Sequence, residues 1–181
     1  MGYLVGLCGY GQVGKDTAAQ YMYGWRRMAF GDKMKEDLKV AIEKFYAKAH
    51  EYQMPKAEAR EIIRPMLISY AEAMRKLEPN YWVNQLWSAL SFQEKANIVI
   101  TDVRNVNEVE RILNPGFDYI SLGIIYIHRP GYGPASKQEK ESIEEIHERW
   151  PERFPIVVND GTKEELGIKV IEVINYLLGN L

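Results

Sequence analysis

The chain has 181 residues, 46% hydrophobic and 27% charged, which is little more than one domain's length and excludes disordered, collagen-like and low-complexity chains, so one compact core is expected. Its 23 Lys and Arg against 25 Asp and Glu leave a formal net charge of -2, with no basic excess for a nucleic-acid backbone. The single cysteine, Cys8, excludes an intramolecular disulfide and a cysteine metal cluster; no run reaches the ~18 apolar residues of a membrane span, and no charged region precedes the N-terminal apolar stretch. A soluble protein of a reducing cytoplasm is expected, without a nucleic-acid or membrane partner.

Residues 3–8, Tyr-Leu-Val-Gly-Leu-Cys, form a short continuous apolar run, as in a strand buried on both faces of a parallel sheet. From Thr17 the spacing of Ala18, Tyr21, Met22 and Trp25 is helical, and Met28-Ala-Phe30 reads as a second strand. Met34, Leu38, Ile42, Phe45 and Ala49 share one helical face, and Ile63, Leu67, Tyr70 and Met74 repeat that period. Pro65 is expected in a helix's first turn, because inside a helix it costs about 3 kcal/mol; Pro79 is expected to open the helix carrying Trp82, Leu86 and Leu90. Strand signals return at residues 97–101, 123–127 and 155–158, followed by a terminal amphipathic helix with Val170, Ile171, Ile174, Leu177 and Leu178. Strands alternating with helices imply an α/β fold with a five-stranded parallel sheet and right-handed crossovers.

Gly9-Tyr-Gly-Gln-Val-Gly14-Lys15 matches G-x-x-x-x-G-K and lies between a buried-type strand and an amphipathic helix, the context a phosphate-binding P-loop requires. Such a turn aims successive backbone N–H groups at an anion, and the helix start adds its unpaired amides. Gly11, Gln12, Val13, Gly14, Lys15, Asp16 and Thr17 are therefore candidate nucleotide-binding residues. Asp16 stands where Ser or Thr usually follows the lysine, and the hydroxyl comes one place later at Thr17, so Mg²⁺ could be held there or through water. Asp102, at the end of the third strand, is a second candidate for the metal, or else the N-cap of a helix over residues 107–113. Arg104 falls where a parallel sheet binds its ligands, and its planar fork suits phosphate. Lys15, Lys35, Arg64, Arg75, Arg104 and Arg129 are the candidate phosphate-binding cations. Arg64 and Arg75 are eleven residues apart, on nearly the same side of one helix and about 16 Å apart along it. His50, His128 and His147 form no triad-like pattern and read as structural or surface residues.

The segments Gly14-Lys15-Asp16-Thr17-Ala18, Phe30-Gly-Asp32-Lys-Met-Lys35, Ile100-Thr-Asp102-Val-Arg104 with Asn107-Glu108, and Asn159-Asp160-Gly161-Thr162 resemble, in order and across nearly the whole chain, the phage-type deoxynucleoside monophosphate kinases. The resemblance departs at Gly31, Lys33 and Asn105-Val106 and in the stretch from Arg64 to Arg75. It implies one P-loop kinase domain over residues 1–181, a helical acceptor-binding insertion over 33–95, ATP and Mg²⁺ as cofactors, and Asn159, Gly161 and Thr162 near the adenine. It also implies that Asp32, Lys35, Arg64, Arg75, Trp82, Arg104, Asn107 and Glu108 meet the acceptor, with Lys15, Arg104 and Arg129 catalytic; Tyr81, Trp82 and Trp87 could equally be core aromatics. Residues 130–150, rich in Lys and Glu, read as a lid or as a solvated surface helix.

Phosphoryl transfer needs positioning and charge neutralisation, and a phosphate monoester acceptor is already a nucleophile, so no catalytic base is required. The expected activity is ATP-dependent phosphorylation of a (deoxy)nucleoside monophosphate, in a cytoplasm that would be the host's were the protein viral. A homodimer is compatible with the sequence. The rivals are another P-loop kinase acting on a phosphorylated metabolite, and a nucleotide-dependent switch with no acceptor.

Overall fold

In the computed structural model, which describes residues 1–91, 96–116, 118–151 and 154–180, the chain begins with β1 (Gly2–Cys8), whose run of apolar side chains is buried almost throughout. It turns through the glycine-rich loop into α1 (Lys15–Gln20), then into β2 (Trp25–Met28). Four helices follow: α2 (Phe30–Asp37), α3 (Lys39–Glu51), α4 (Lys56–Leu77) and α5 (Tyr81–Ser91). The chain then returns to the sheet with β3 (Asn97–Val103), α6 (Val106–Leu113), β4 (Tyr119–His128), α7 (Lys137–Arg149), β5 (Ile156–Val158) and α8 (Lys163–Gly179). These elements make two compact units, one of residues 1–29 and 92–181, the other of residues 30–91. The stretch read as an insertion over 33–95 ends in residues 92–95, which lie outside the described residues.

The first unit carries a parallel sheet of five strands in the order β2-β3-β1-β4-β5. β1 is central, with Leu4 opposite Ile98 on one side and Ser121 on the other. Val5 and Leu7 face one way, into a cluster with Val13, Ala18 and Met22 around α1, Val99, Ile125 and Ile127 of the sheet, and Leu166, Val170 and Ile174 of α8. The opposite face is covered by α6, whose Val109 and Ile112 are wholly buried, with α7 beside it. Helices on both faces explain why the strands read as continuous apolar runs. No helix among the described residues is long and apolar enough to cross a membrane.

Four local expectations are corrected. The first helix stops at Gln20, and Trp25 begins β2 rather than ending a helix, because Gly24 at φ 80° turns the chain into an edge strand whose Arg26 and Arg27 stay exposed. Phe30 accordingly opens α2 instead of closing a strand. The face from Met34 to Ala49 is split between α2 and α3 at Leu38, with only Ala49 of α3 buried. Pro65 lies inside α4, not in its first turn, and on its exposed side, where water can satisfy the carbonyl that proline leaves without a donor. In the second unit Trp82 is buried, its indole N–H donating to the Ala71 carbonyl at 3.1 Å while Tyr70 and Tyr81 meet its ring edge-on, so it is a core aromatic.

Candidate functional site

The loops at the carboxyl ends of β1, β3, β4 and β5 converge on a pocket of about 330 Å³. Its wall is built from Gln12, Gly14, Lys15, Asp16 and Thr17 of the first loop and helix, Thr101, Asp102 and Arg104 at the third strand, Arg129 after the fourth, and Asn159, Gly161, Lys163 and Leu166 beyond the fifth. This is where an open parallel sheet binds ligands, at the carboxyl ends of neighbouring strands whose following helices, α1 after β1 and α6 after β3, lie on opposite faces. Two glycines are required by geometry. Gly9 at φ 134° would push a Cβ into the Ile127 carbonyl oxygen, and Gly14 at φ 106° would place one 2.7 Å from Asn159 Nδ2. Asn159 is tied in by its own bonds, its backbone N–H donating to His128 O at 2.7 Å and its amide to Val13 O at 2.8 Å. The loop is thus held against the ends of two other strands before any ligand arrives.

Lys15 is 7% exposed, and its Nζ donates to the carbonyls of Gly9 and Tyr10, both at 2.6 Å. Burial, reinforced by the neighbouring Arg104 charge, lowers its pKa to about 8. The ammonium is therefore costly in the free protein, and an anion in the pocket would relieve that cost. Cationic side chains collect around it. Four of them line the pocket, Lys15, Arg104, Arg129 and Lys163, against the two carboxylates Asp16 and Asp102. Arg129 also stacks over the Tyr132 ring at 4.3 Å.

The Asp16 carboxylate accepts hydrogen bonds from Thr101 Oγ1 and Arg27 Nε, each at 2.9 Å. Partial burial works to raise its pKa, but the Thr101 and Arg27 hydrogen bonds and the Arg27 and Lys15 charges hold it below the usual carboxylate range. Asp102 is not the helix cap. That place belongs to Asn105, paired with Glu108 in a capping box, which leaves Asp102 in the pocket wall with Thr17. Among the described residues no three His, Cys, Asp or Glu gather as a metal cluster. Asp102 and the Thr17 hydroxyl in the same pocket wall are nonetheless oxygen donors of the kind that suits Mg²⁺, which keeps several waters and takes phosphate oxygens.

The pocket therefore brings together Gln12, Gly14, Lys15, Asp16, Thr17, Asp102, Arg104, Arg129, Asn159 and Gly161 of the sequence-derived set. Other members stand elsewhere. The Val13 side chain is core, and the Gly11 N–H donates to Glu139 Oε1 at 3.1 Å. Thr162 caps α8, exchanging hydrogen bonds with Glu165. Glu108 is buried and accepts from the backbone N–H groups of Arg104 at 2.7 Å and Asn105 at 3.0 Å, so it shapes the turn from which Arg104 projects. Asn107 lies in the first turn of α6, its side-chain Oδ1 accepting the Glu108 N–H at 3.0 Å. Asp32, Lys35, Arg64, Arg75 and Trp82 belong to the other unit; Lys35 pairs with Asp32 at 3.6 Å, and one helix, α4, carries both Arg64 and Arg75. In residues 130–150, α7 is docked by the wholly buried Ile143 and Ile146, with His147 edge-on to Tyr126.

Sequence reasoning missed Thr101, Lys163, Leu166 and Glu139. Thr101 and Lys163 adjoin motif residues and could have been taken with them. Glu139 is concealed in a run of Lys and Glu that reads as solvated, yet it is 8% exposed and caught between three segments.

No protein-family model matches the chain, and no curated protein does. Solved structures do match. A gluconokinase from Sinorhizobium meliloti aligns over 99% of this chain and 94% of its own, with a TM-score of 0.50 at 14% identity. A sugar kinase from a Janibacter species aligns over 97% and 95%, with a TM-score of 0.50 at 13% identity. The chain shares the fold of these kinases, a five-stranded parallel sheet flanked by helices, with its glycine-rich loop after the central strand.

Proposed function

We propose that the protein is an ATP-dependent phosphotransferase that moves the terminal phosphoryl group of ATP to a phosphorylated small molecule, a (deoxy)nucleoside monophosphate in the first place. The carrying observation is the convergence of Lys15, Arg104, Arg129 and Lys163 on the glycine-rich loop at the end of the central strand. Lys15 and the loop amides would hold the donor phosphates, Thr17 and Asp102 would take Mg²⁺ directly or through water, and Arg104 and Arg129 would neutralise charge on the transferring group. The metal would supply further neutralisation of that charge. The acceptor's phosphate oxygen attacks without giving up a proton, so the histidines have no part in the step.

The choice of a nucleotide acceptor rests on the resemblance of the four motif segments, which also assigns Lys35, Arg64 and Arg75 to acceptor recognition. The solved kinases named above act on other acceptors by their own descriptions, so the assay must include them. Coupled ADP release is to be measured across ribo- and deoxynucleoside monophosphates, gluconate and simple sugars. Turnover with at least one nucleoside monophosphate, well above the rate with the sugars, is expected. Turnover confined to the sugars would overturn the nucleotide reading, and ATP hydrolysis with no acceptor would leave a nucleotide-dependent switch.

A further inference from the structure

Glu139, in the first turn of α7, belongs to none of the motifs, yet its carboxylate meets three segments of the first unit. Oε1 accepts the Gly11 N–H at 3.1 Å and lies 3.2 Å from Nη1 of Arg104. Oε2 accepts the Ala135 N–H at 2.7 Å, and the residue's own N–H donates to Ser136 Oγ at 3.1 Å. A carboxylate this buried must have such partners or forgo its charge. Simple anchoring of α7 would account for the bond to Ala135, but not for the two made by Oε1. Those reach an amide of the phosphate loop and the guanidinium of a pocket residue. The Arg104 backbone is fixed independently, since Glu108 accepts its N–H at 2.7 Å. Only the far end of the side chain is left to be oriented, and there Glu139 is its ionic partner.

The other nitrogens of Arg104 show what that orientation leaves available. The side chain is 41% exposed and lines the pocket, while its buried Nε has no hydrogen-bond partner among the described residues. A guanidinium has five N–H groups in a rigid fork, so engaging one edge fixes where the others point. We propose that Glu139 is a positioning residue for phosphoryl transfer: through Oε1 it sets the Arg104 guanidinium and the Gly11 amide in one arrangement, so that the remaining Arg104 donors meet a phosphate in the pocket. This rests on the phosphotransferase reading above. Oε2, through Ala135, also joins the loop between β4 and α7 to the same carboxylate.

The test is a double-mutant cycle with a spectroscopic arm. Glu139→Gln keeps the shape of the side chain, but its NH2 group must face a donor on one side or the other. It is expected to lower kcat for the acceptor by roughly 10- to 100-fold, as a misplaced catalytic group does, with the KM for ATP changed less than about threefold. In an Arg104→Ala background the same substitution should cost less than about twofold. Equal losses in both backgrounds would show that Glu139 only anchors α7, and the proposal would fall. Glu139→Asp, which keeps the charge on a shorter arm, covers the case in which the glutamine variant does not fold; its loss must likewise disappear without Arg104. Side-chain NMR of Arg104 separates this inference from the functional reading. In the parent protein, rotation of the guanidinium should be hindered, and in Glu139→Gln it should be averaged. A freely averaging guanidinium in the parent overturns the proposal even where transfer is found; a hindered one released by the substitution upholds the positioning contact even where no acceptor is phosphorylated.

Discussion

Binding of a nucleotide triphosphate at the pocket should draw a proton onto Lys15. With a pKa of about 8, the buried amine is roughly one-tenth neutral at pH 7, half neutral at pH 8 and nine-tenths neutral at pH 9. A triphosphate beside it favours the ammonium and moves the pKa back toward or beyond its ordinary 10.5. Uptake of about 0.5 proton per site is therefore expected at pH 8, and about 0.1 at pH 7. The ligand's terminal phosphate, with a last ionisation near pH 6, is already deprotonated at pH 8 and contributes little. Cys8, its thiol pushed up to about 12 by burial, does not titrate in this range. The assay is calorimetric titration with a non-hydrolysable ATP analogue at pH 8 in two buffers of different ionisation heat. Lys15→Arg keeps its charge at every accessible pH and should abolish the uptake. Absence of uptake in the parent, or equal uptake in the arginine variant, would refute the reasoning. The same shift fixes a stability trend with a definite sign: a lysine whose folded pKa lies below its unfolded value is a penalty fully present below about pH 8, relieved as pH rises from there to 10.5.

Arg104→Ala should lower kcat/KM for the acceptor about 100-fold while leaving analogue affinity within about threefold, as isotope-free steady-state kinetics and calorimetry would show; unchanged acceptor kinetics would remove Arg104 from the site. Gly14→Ala places a Cβ 2.7 Å from Asn159 Nδ2 at a φ of 106°, so thermal unfolding should report a loss of about 1–3 kcal/mol, together with weakened analogue binding. Pro65→Ala returns a donor to the interior of α4 and should stabilise the protein by up to about 3 kcal/mol in urea titration; a lower midpoint would mean that the helix depends on the proline. With a phosphate nucleophile, the acid limb of acceptor kcat/KM should follow the substrate's ionisation near about pH 6, and a limb displaced by His147→Gln would point to a side-chain base instead.

The motif and its setting made the glycine-rich turn between β1 and α1 legible, because G-x-x-x-x-G-K ends a doubly buried strand and opens a helix. Asp102 and Arg104 were legible for a related reason, since the carboxyl ends of parallel strands are where ligands collect. Glu108 was read as a substrate contact, while the structure has it in a capping box with Asn105, a local signal three places earlier in the chain. Trp82 was open from spacing alone, because an indole in an amphipathic helix packs into a core or stacks on a base with the same periodicity. The break at Leu38 had no Gly or Pro to announce it. Glu139 was illegible for the most physical reason: its partners lie 128 positions back at Gly11 and on another crossover at Arg104, and only the folded sheet brings them to one carboxylate.

That carboxylate bears on the proposal that the pocket is an anion site and not a structural ion-pair network. In a structural network each cation is matched, and burial leaves charges satisfied. Here the charges are matched unevenly. Asp16 is spent on Arg27 and Thr101, facing the edge strand, and Glu139 is spent on Arg104 from behind. Lys15 is left to backbone carbonyls, which accept its hydrogen bonds without neutralising it, and Arg104 adds a like charge that lowers its pKa further. Arg129 leans on an aromatic face, a weaker partner than a carboxylate. The free protein thus carries an electrostatic cost concentrated at Lys15, and a polyanion bound at the glycine-rich loop would remove it. Removing it by neutralising Lys15 instead should stabilise the fold while destroying transfer: Lys15→Met is expected to melt no lower than the parent and to lose at least about 100-fold in turnover. A variant that melted well below the parent would show the ammonium to be a satisfied structural group, and the uneven matching on which the anion site is argued would be wrong.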